Sequence, residues 1–198
     1  IALPSGADAT TAIAIYLCGS EDEFVKLMNE KAEELGLENT HFTNASGLYD
    51  PNHYSTATDI AMLMSAVMEN DTCREILGTY QYTTSATEQH PEGIPLESTM
   101  FSRMYGNEVT GITIEAGKTG YTDEAGHCLV SYATDADGKQ FIAVTAKGPT
   151  YWRAVFDTFA IYGLVHDGYP MPDNLAAEET DENGSAIDPT ETSAAPAA

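Results

Sequence analysis

The sequence predicts an α/β protein on three observations. Capped, amphipathic helical stretches fill its first third, three strand-like runs lie between residues 109 and 147, and a further amphipathic helix follows them. Ser5, with Asp8 three residues on, reads as a helix start, and Ala9 to Leu17 continue it with small residues. Ser20 followed by Glu23 is a clearer capping box. Phe24, Leu27, Met28, Ala32 and Leu35 then form an apolar stripe that Gly36 stops. Residues 37–55, rich in Asn, Thr, Gly and Pro, read as an irregular connection. A third helix is predicted from Thr58 to about Glu69, with Ile60, Leu63, Met64, Val67 and Met68 inward, and a short one over Arg74–Leu77. Residues 78–106 show no period and are assigned short strands and loops at most.

Strands are predicted at 109–116, 127–134 and 139–147. Asp135-Ala136-Asp137-Gly138 joins the last two as a hairpin, with glycine supplying the positive φ of the turn. The last helix runs from about Thr150 to Tyr162 and shows Trp152, Val155, Phe156 and Phe159 on one face. From Asp167 onward the chain is mostly Ala, Glu, Asp, Thr and Pro, too poor in apolar surface to offset its conformational entropy, so disorder is expected there. The organisation read from the sequence is therefore 1–166 as one folded portion and 167–198 as an acidic tail or linker.

Composition narrows the function. The net charge is -23 over 198 residues, and the tail supplies eight of the acids and no Lys or Arg. Nucleic acid binding, which neutralises phosphates with cations, is excluded on that balance. Cys18, Cys73 and Cys128 are three, without C-x-x-C spacing, and read as buried free thiols. The five histidines have no metal-ligand spacing, so neither a metal nor another cofactor is expected.

Against this background Lys118-Thr119-Gly120 is the informative motif. It ends the alternating segment Val109, Ile112, Ile114, which puts an ammonium, a hydroxyl and an approachable backbone side by side. That set suits a substrate carboxylate and an acyl carbonyl. A surface lysine paired with Glu115 or Asp123 is the plainer reading. A phosphate loop is excluded by spacing, because five residues separate Gly111 from Gly117 where four are required. The flank Gly117-Lys118-Thr119-Gly120-Tyr121-Thr122-Asp123-Glu124-Ala125-Gly126 resembles that of the low-molecular-weight penicillin-binding proteins, the D-alanyl-D-alanine carboxypeptidases. Leu35-Gly36-Leu37-Glu38-Asn39-Thr40-His41-Phe42, then His53-Tyr54-Ser55-Thr56-Ala57 and Asp59, are similar too. So is Pro4-Ser5-Gly6-Ala7, although Ala7 stands where that family carries Asn.

The resemblance covers roughly residues 1–163. It implies a serine β-lactamase/transpeptidase-like antiparallel sheet flanked by helices, incomplete at the N-terminus. No Ser-x-x-Lys occurs: the residues three before the lysines are Glu23, Met28, Glu115, Ala136 and Val144. The nucleophile is accordingly expected upstream, the chain is expected to be inactive as given, and the strand at 139–147 is expected to leave an unpaired edge. In the implied chemistry a serine attacks terminal D-Ala-D-Ala of a peptidoglycan pentapeptide stem and forms an acyl-enzyme that water resolves. Lys118 and Thr119 would hold the terminal carboxylate and Gly120 would let the substrate approach. The Tyr121 N–H would face the oxyanion, and Ser5 would relay a proton to the leaving amine or merely cap a helix. His41, His53 and Asp59 read as loop anchors and a helix cap. β-Lactams are the implied inhibitors, the bacterial envelope outside the cytoplasmic membrane the implied location, and membrane attachment is expected only through an anchor outside this sequence. The alternative is a non-catalytic homologue that binds such peptides or β-lactams.

Overall fold

A computed structural model describes residues 1–104 and 109–167. The tail expected at 167–198 therefore falls, beyond its first residue, outside the described residues. The first helix, α1 (Ala7–Cys18), starts from Gly6 with no side-chain cap, so the sequence expectation that Ser5 opens it is corrected. Helix α2 (Glu21–Glu34) begins as expected: Ser20 Oγ accepts the Glu23 N–H at 3.2 Å, and Gly36 ends the segment with φ 71°. The stripe is different, however. Val25 and Ala32 are buried while Leu27 is half exposed, because α2 packs on α1 and the 42–45 segment along a narrow face. Asn29 carries that docking, donating to Phe42 C=O (2.8 Å) and accepting from its N–H (2.9 Å).

Helix α3 (Ala57–Met68) is capped by Thr56, whose hydroxyl accepts the Asp59 N–H at 3.1 Å. Asp59 itself reaches backward: its buried carboxylate accepts the Thr40 hydroxyl at 2.7 Å and the Asn39 N–H at 2.8 Å. Those hydrogen bonds, Thr40's first, hold its pKa below the usual range. Helix α4 (Asp71–Gly78), capped by Asn70, is longer than the Arg74–Leu77 turn expected. The segment without a period holds a small hairpin, β1 (Gln81–Thr83) with β2 (Pro95–Glu97), and one turn of helix, α5 (Phe101–Met104), that periodicity could not reveal.

The main sheet is antiparallel in the order β3 (Ile112–Thr122), β4 (Gly126–Asp135), β5 (Gln140–Gly148). Gly138, with φ 80°, closes the expected hairpin of β4 and β5. Helix α6 (Tyr151–Asp167) covers one face, α3 and α4 the other. On the α3–α4 side Met64 and Met68 pack with Ala116 and Tyr132; on the α6 side Met100, Met104, Leu129, Ala154 and Val155 form the core. The α6 stripe read from the sequence holds in part: Val155 is buried and Phe159 packs against the same core, but Ala154, Thr158 and Tyr162 are also buried among the helix's described side chains. Tyr162 and Ser131 satisfy one another there, with Oη–Oγ at 2.9 Å and Oη donating to the Ser131 carbonyl at 3.0 Å. Cys18, Cys73 and Cys128 are half-buried rather than buried. Among the described residues no strand pairs with the outer edges of β3 or β5.

Candidate active site

The Lys-Thr-Gly triplet lies within a strand, where the sequence had put it just beyond one. Thr119, Tyr121 and Thr122 favour the pleated backbone, and their pairing with β4 (Lys118 with Val130, Thr119 with Leu129, Gly120 with Cys128, Tyr121 with His127) carries β3 on to Thr122. The turn is thus confined to Asp123-Glu124-Ala125. An irregularity between Ile114 and Ala116 resets the facing of the strand. Downstream of it Gly117 faces Met100, and Ala116 packs on the opposite face with Met64 and Met68.

Ser5 reaches this strand across 113 residues of sequence. A tight turn, with Gly6 N–H on the Ile1 carbonyl at 3.1 Å, gives Ser5 a left-handed backbone, φ 59°. Few non-glycine residues adopt that region, at a cost of about 1–2 kcal/mol. The Thr99 N–H donates to the Leu3 carbonyl at 3.0 Å and pins the turn beside β3. The result is a contact between Lys118 Nζ and Ser5 Oγ at 2.8 Å; the ammonium also donates to the Thr119 carbonyl at 2.7 Å. Among the described residues Lys118 has no carboxylate partner, so the plain surface ion pair with Glu115 or Asp123 is not formed. Burial, and then the nearby Arg103 charge, lower its pKa from the usual lysine value.

Thr119 does not stand alone. Its hydroxyl is 2.6 Å from that of Thr99, and since one of the pair must donate to the other, the second keeps its proton for a ligand. Arg103 donates to the Thr99 carbonyl and lies over the Tyr151 ring, 4.9 Å from its centroid. Tyr121 stacks on His127 at 4.3 Å and donates its phenol to Asp123 at 2.7 Å, while His127 meets Tyr151 edge-on at 6.0 Å. Burial, with a smaller push from Arg103, lowers the His127 pKa. These groups line a cleft of about 310 Å³ with Ser5, Gly120, Leu129 and Val155. A Cβ built on Gly120 would meet nothing within 4 Å, so the space before the strand is open there.

Of the residues singled out in the sequence, Ser5, Thr119, Gly120 and Tyr121 line this cleft and Lys118 bonds to Ser5 at its rim. Thr99, Arg103, His127 and Tyr151 were missed. Arg103 carried the one available signal, as one of three arginines in an acidic chain. A second cleft, about 470 Å³, opens across the triplet between Phe42, His53, Tyr54, Ile60 and Val144. His53 Nδ1 accepts the Thr43 N–H at 3.2 Å, which leaves the proton of the neutral ring on Nε2, and burial lowers its pKa. His41 Nδ1 lies 2.7 Å from the Asn52 carbonyl, so both histidines anchor the loop as read.

An antiparallel sheet between two helical layers, with Lys-Thr-Gly on an edge strand against a serine from a helix-leading turn, defines the class of serine DD-peptidases and penicillin-binding proteins. The chain belongs to the D-alanyl-D-alanine carboxypeptidase family, whose pattern matches residues 1–150. It is 40% identical over 134 residues to D-alanyl-D-alanine carboxypeptidase DacF of Bacillus subtilis, covering 67% of this chain and 32% of that protein. It is 34% identical to DacA of Haemophilus influenzae, over 74% of this chain and 35% of that one. The chain thus spans about a third of the length of these curated relatives. Among solved structures, a Streptomyces DD-transpeptidase superposes with a TM-score of 0.71 at 29% identity, covering 83% of this chain and 64% of the other. Penicillin binding protein 5 of Haemophilus influenzae gives 0.67 at 30% identity, over 81% and 44%.

Proposed function

We propose that residues 1–166 form part of a serine-type D-alanyl-D-alanine carboxypeptidase domain acting on peptidoglycan stem peptides, and that they supply its carboxylate anchor, proton relay and oxyanion strand. The observation that carries this is the 2.8 Å contact of Lys118 with Ser5 at the rim of a cleft that Arg103 lines; among the described residues neither cation has a carboxylate partner. In a chain of net charge -23, such cations suit an anion brought in from outside. The substrate's terminal carboxylate would lie among Thr119, Thr99 and the guanidinium, with the Lys118 ammonium beside it at the rim of the cleft. The scissile carbonyl would face the Tyr121 N–H, a donor worth about 3 kcal/mol of barrier in comparable sites.

Lys118, desolvated and hydrogen-bonded to Ser5, would pass a proton through that hydroxyl to the leaving amine. The attacking serine of such an enzyme comes from Ser-x-x-Lys, which these 198 residues do not contain. β-Lactams, with a carboxylate and an acyl carbonyl at similar spacing, would enter the same cleft as inhibitors. Such a substrate would put the protein in the bacterial envelope outside the cytoplasmic membrane, with the acidic residues 167–198 as a tether.

Loss of the nucleophile costs on the order of a million-fold in comparable serine hydrolases. Incubated with a fluorescent penicillin, the chain is therefore expected to show only reversible binding. A label that survives denaturation would overturn this account. The second reading, a homologue that binds without turnover, is favoured by Ala7, which has no amide to offer a substrate.

Binding should depend on pH with a defined sign. An anion stabilises the charged lysine, so affinity falls as pH rises, and the fall begins below the ordinary lysine value of about 10.4 because the Lys118 pKa is lowered. Below the usual imidazole value of about 6.5, protonation of His127 adds a third positive charge and strengthens binding. Calorimetry with N-acetyl-D-Ala-D-Ala between about pH 5 and 10 reads both limbs. Affinity that rises with pH would count against a carboxylate held by these groups.

A further inference from the structure

Ser5 and Lys118 form a pair that needs nothing beyond these residues. Lys118 Nζ lies 2.8 Å from Ser5 Oγ and donates to the Thr119 carbonyl at 2.7 Å. A neutral amine keeps two N–H donors and one lone pair. With one N–H held by that carbonyl, the lone pair is free to accept the Ser5 hydroxyl proton. Burial, and then Arg103 on α5, the charged group that faces it, lower the lysine's pKa and so raise its neutral fraction. A lysine so placed can activate a serine hydroxyl, as histidine does in other hydrolases.

The backbone fits the same role. Ser5 is exposed, on a tight turn that leads into α1. Its φ of 59° is held by the Gly6 N–H on the Ile1 carbonyl and by the Thr99 N–H on the Leu3 carbonyl. A strained serine on a sharp turn into a helix is how α/β-hydrolases hold a nucleophilic oxygen clear of the main chain. The Ser5 hydroxyl has no partner but Lys118 among the described residues. Ser20 and Ser131, by contrast, are occupied by a helix cap and by the buried Tyr162 hydroxyl.

We propose that Ser5, with Lys118 as its base, is itself a nucleophile toward activated aryl esters, an activity separate from peptide hydrolysis by an upstream serine. Ser5 Oγ bonds to the ester carbonyl carbon while Nζ takes the hydroxyl proton. The tetrahedral adduct collapses, the bond from carbon to the aryl oxygen breaks, and the phenolate leaves with the electron pair. The ammonium returns its proton to solvent. Water then adds to the acyl-Ser5 ester with Nζ again taking a proton, the ester bond breaks, and Ser5 Oγ recovers that proton as the carboxylic acid leaves. Aryl esters are the class because a phenolate departs without being protonated. A peptide or β-lactam nitrogen needs a proton, and the hydroxyl that would carry it is then acylated, so penicillin is not expected to label Ser5.

The proposal rests on the Lys118–Ser5 contact and not on the carboxylate anchor, since the probe, p-nitrophenyl acetate, carries no carboxylate. The unaltered chain is incubated with it in mildly alkaline buffer. Absorbance follows p-nitrophenolate, and peptide mass spectrometry locates the acetyl group. A burst of p-nitrophenolate is expected, with an acetyl group on Ser5 that hydroxylamine removes. Ser5→Gly, which suits the left-handed backbone but has no hydroxyl, should cut the release about tenfold or more. Lys118→Arg, which keeps the positive charge but cannot accept a proton, should cut it as far. Release unchanged in Ser5→Gly, or a stable acetyl amide on Lys118 in place of the Ser5 ester, would sink the proposal and leave peptide binding untouched. Acylation of Ser5 in a chain that binds no D-Ala-D-Ala peptide would uphold it and remove the anchor instead.

Discussion

Replacing Lys118 with alanine is expected to weaken binding of D-Ala-D-Ala-terminated peptides ten- to a hundredfold. The ammonium is the one group of the triplet that can meet a carboxylate with full charge, and a hydrogen bond to a charged group contributes about 1.5–3 kcal/mol. The site should amplify this: burial, which lowers the lysine's pKa, also thins the water that would screen it. Folding should change little, because Lys118 makes no ion pair among the described residues and its removal releases a partly desolvated charge. Lys118→Met, which keeps the length of the stem, should lose affinity to the same extent. Titration calorimetry against N-acetyl-D-Ala-D-Ala measures it, and an affinity unchanged by either substitution would show that the carboxylate docks elsewhere.

Gly117→Ala is expected to destabilise the fold by about 3 kcal/mol, toward the upper end of what overpacking costs. A methyl group on Gly117 would lie 2.4 Å from the Val130 carbonyl oxygen and 2.5 Å from Met100 Sδ. The first is backbone held in the β3–β4 ladder, and the second belongs to a side chain with no exposed surface, so neither has room to yield. For a chain of this size the midpoint of thermal unfolding should fall by roughly 6–12 °C. Gly120→Ala supplies the contrast: with nothing near its Cβ it should melt as the parent does. If the two variants melted alike, the close approach of β3 and β4 at Gly117 would be wrong.

The helices with strong local signals were readable from the chain. Ser20 with Glu23, and Gly36 beyond the stripe, bound α2 where the structure does, because a cap is a contact over three residues and leaves its mark in three residues of sequence. The β4–β5 hairpin was readable from Gly138 for the same reason. Helix α5 was not: one turn, Phe101–Met104, is too short to show a period, and it carries Arg103. The inward face of α2 was misjudged at Leu27 because the direction a helix faces depends on its neighbours.

The candidate site divides in the same way. Lys118, Thr119, Gly120 and Tyr121 could be picked out in advance since they are consecutive and their chemistry is complementary to one kind of ligand. Ser5 was ambiguous between helix cap and proton carrier; its left-handed backbone and its bond to Lys118, 113 residues away, favour the second. That Thr99 faces Thr119, that Arg103 lies on Tyr151, and that His127 backs Tyr121 depended on the path of the chain alone. Composition and local pattern pointed to the longer helices, the β4–β5 hairpin, the family resemblance and Lys118 as the candidate anchor, all of which rest on signals carried within a few residues. The cleft, its second cation and its aromatic wall were decided by packing, which sets distances between segments that carry no mark of one another in sequence.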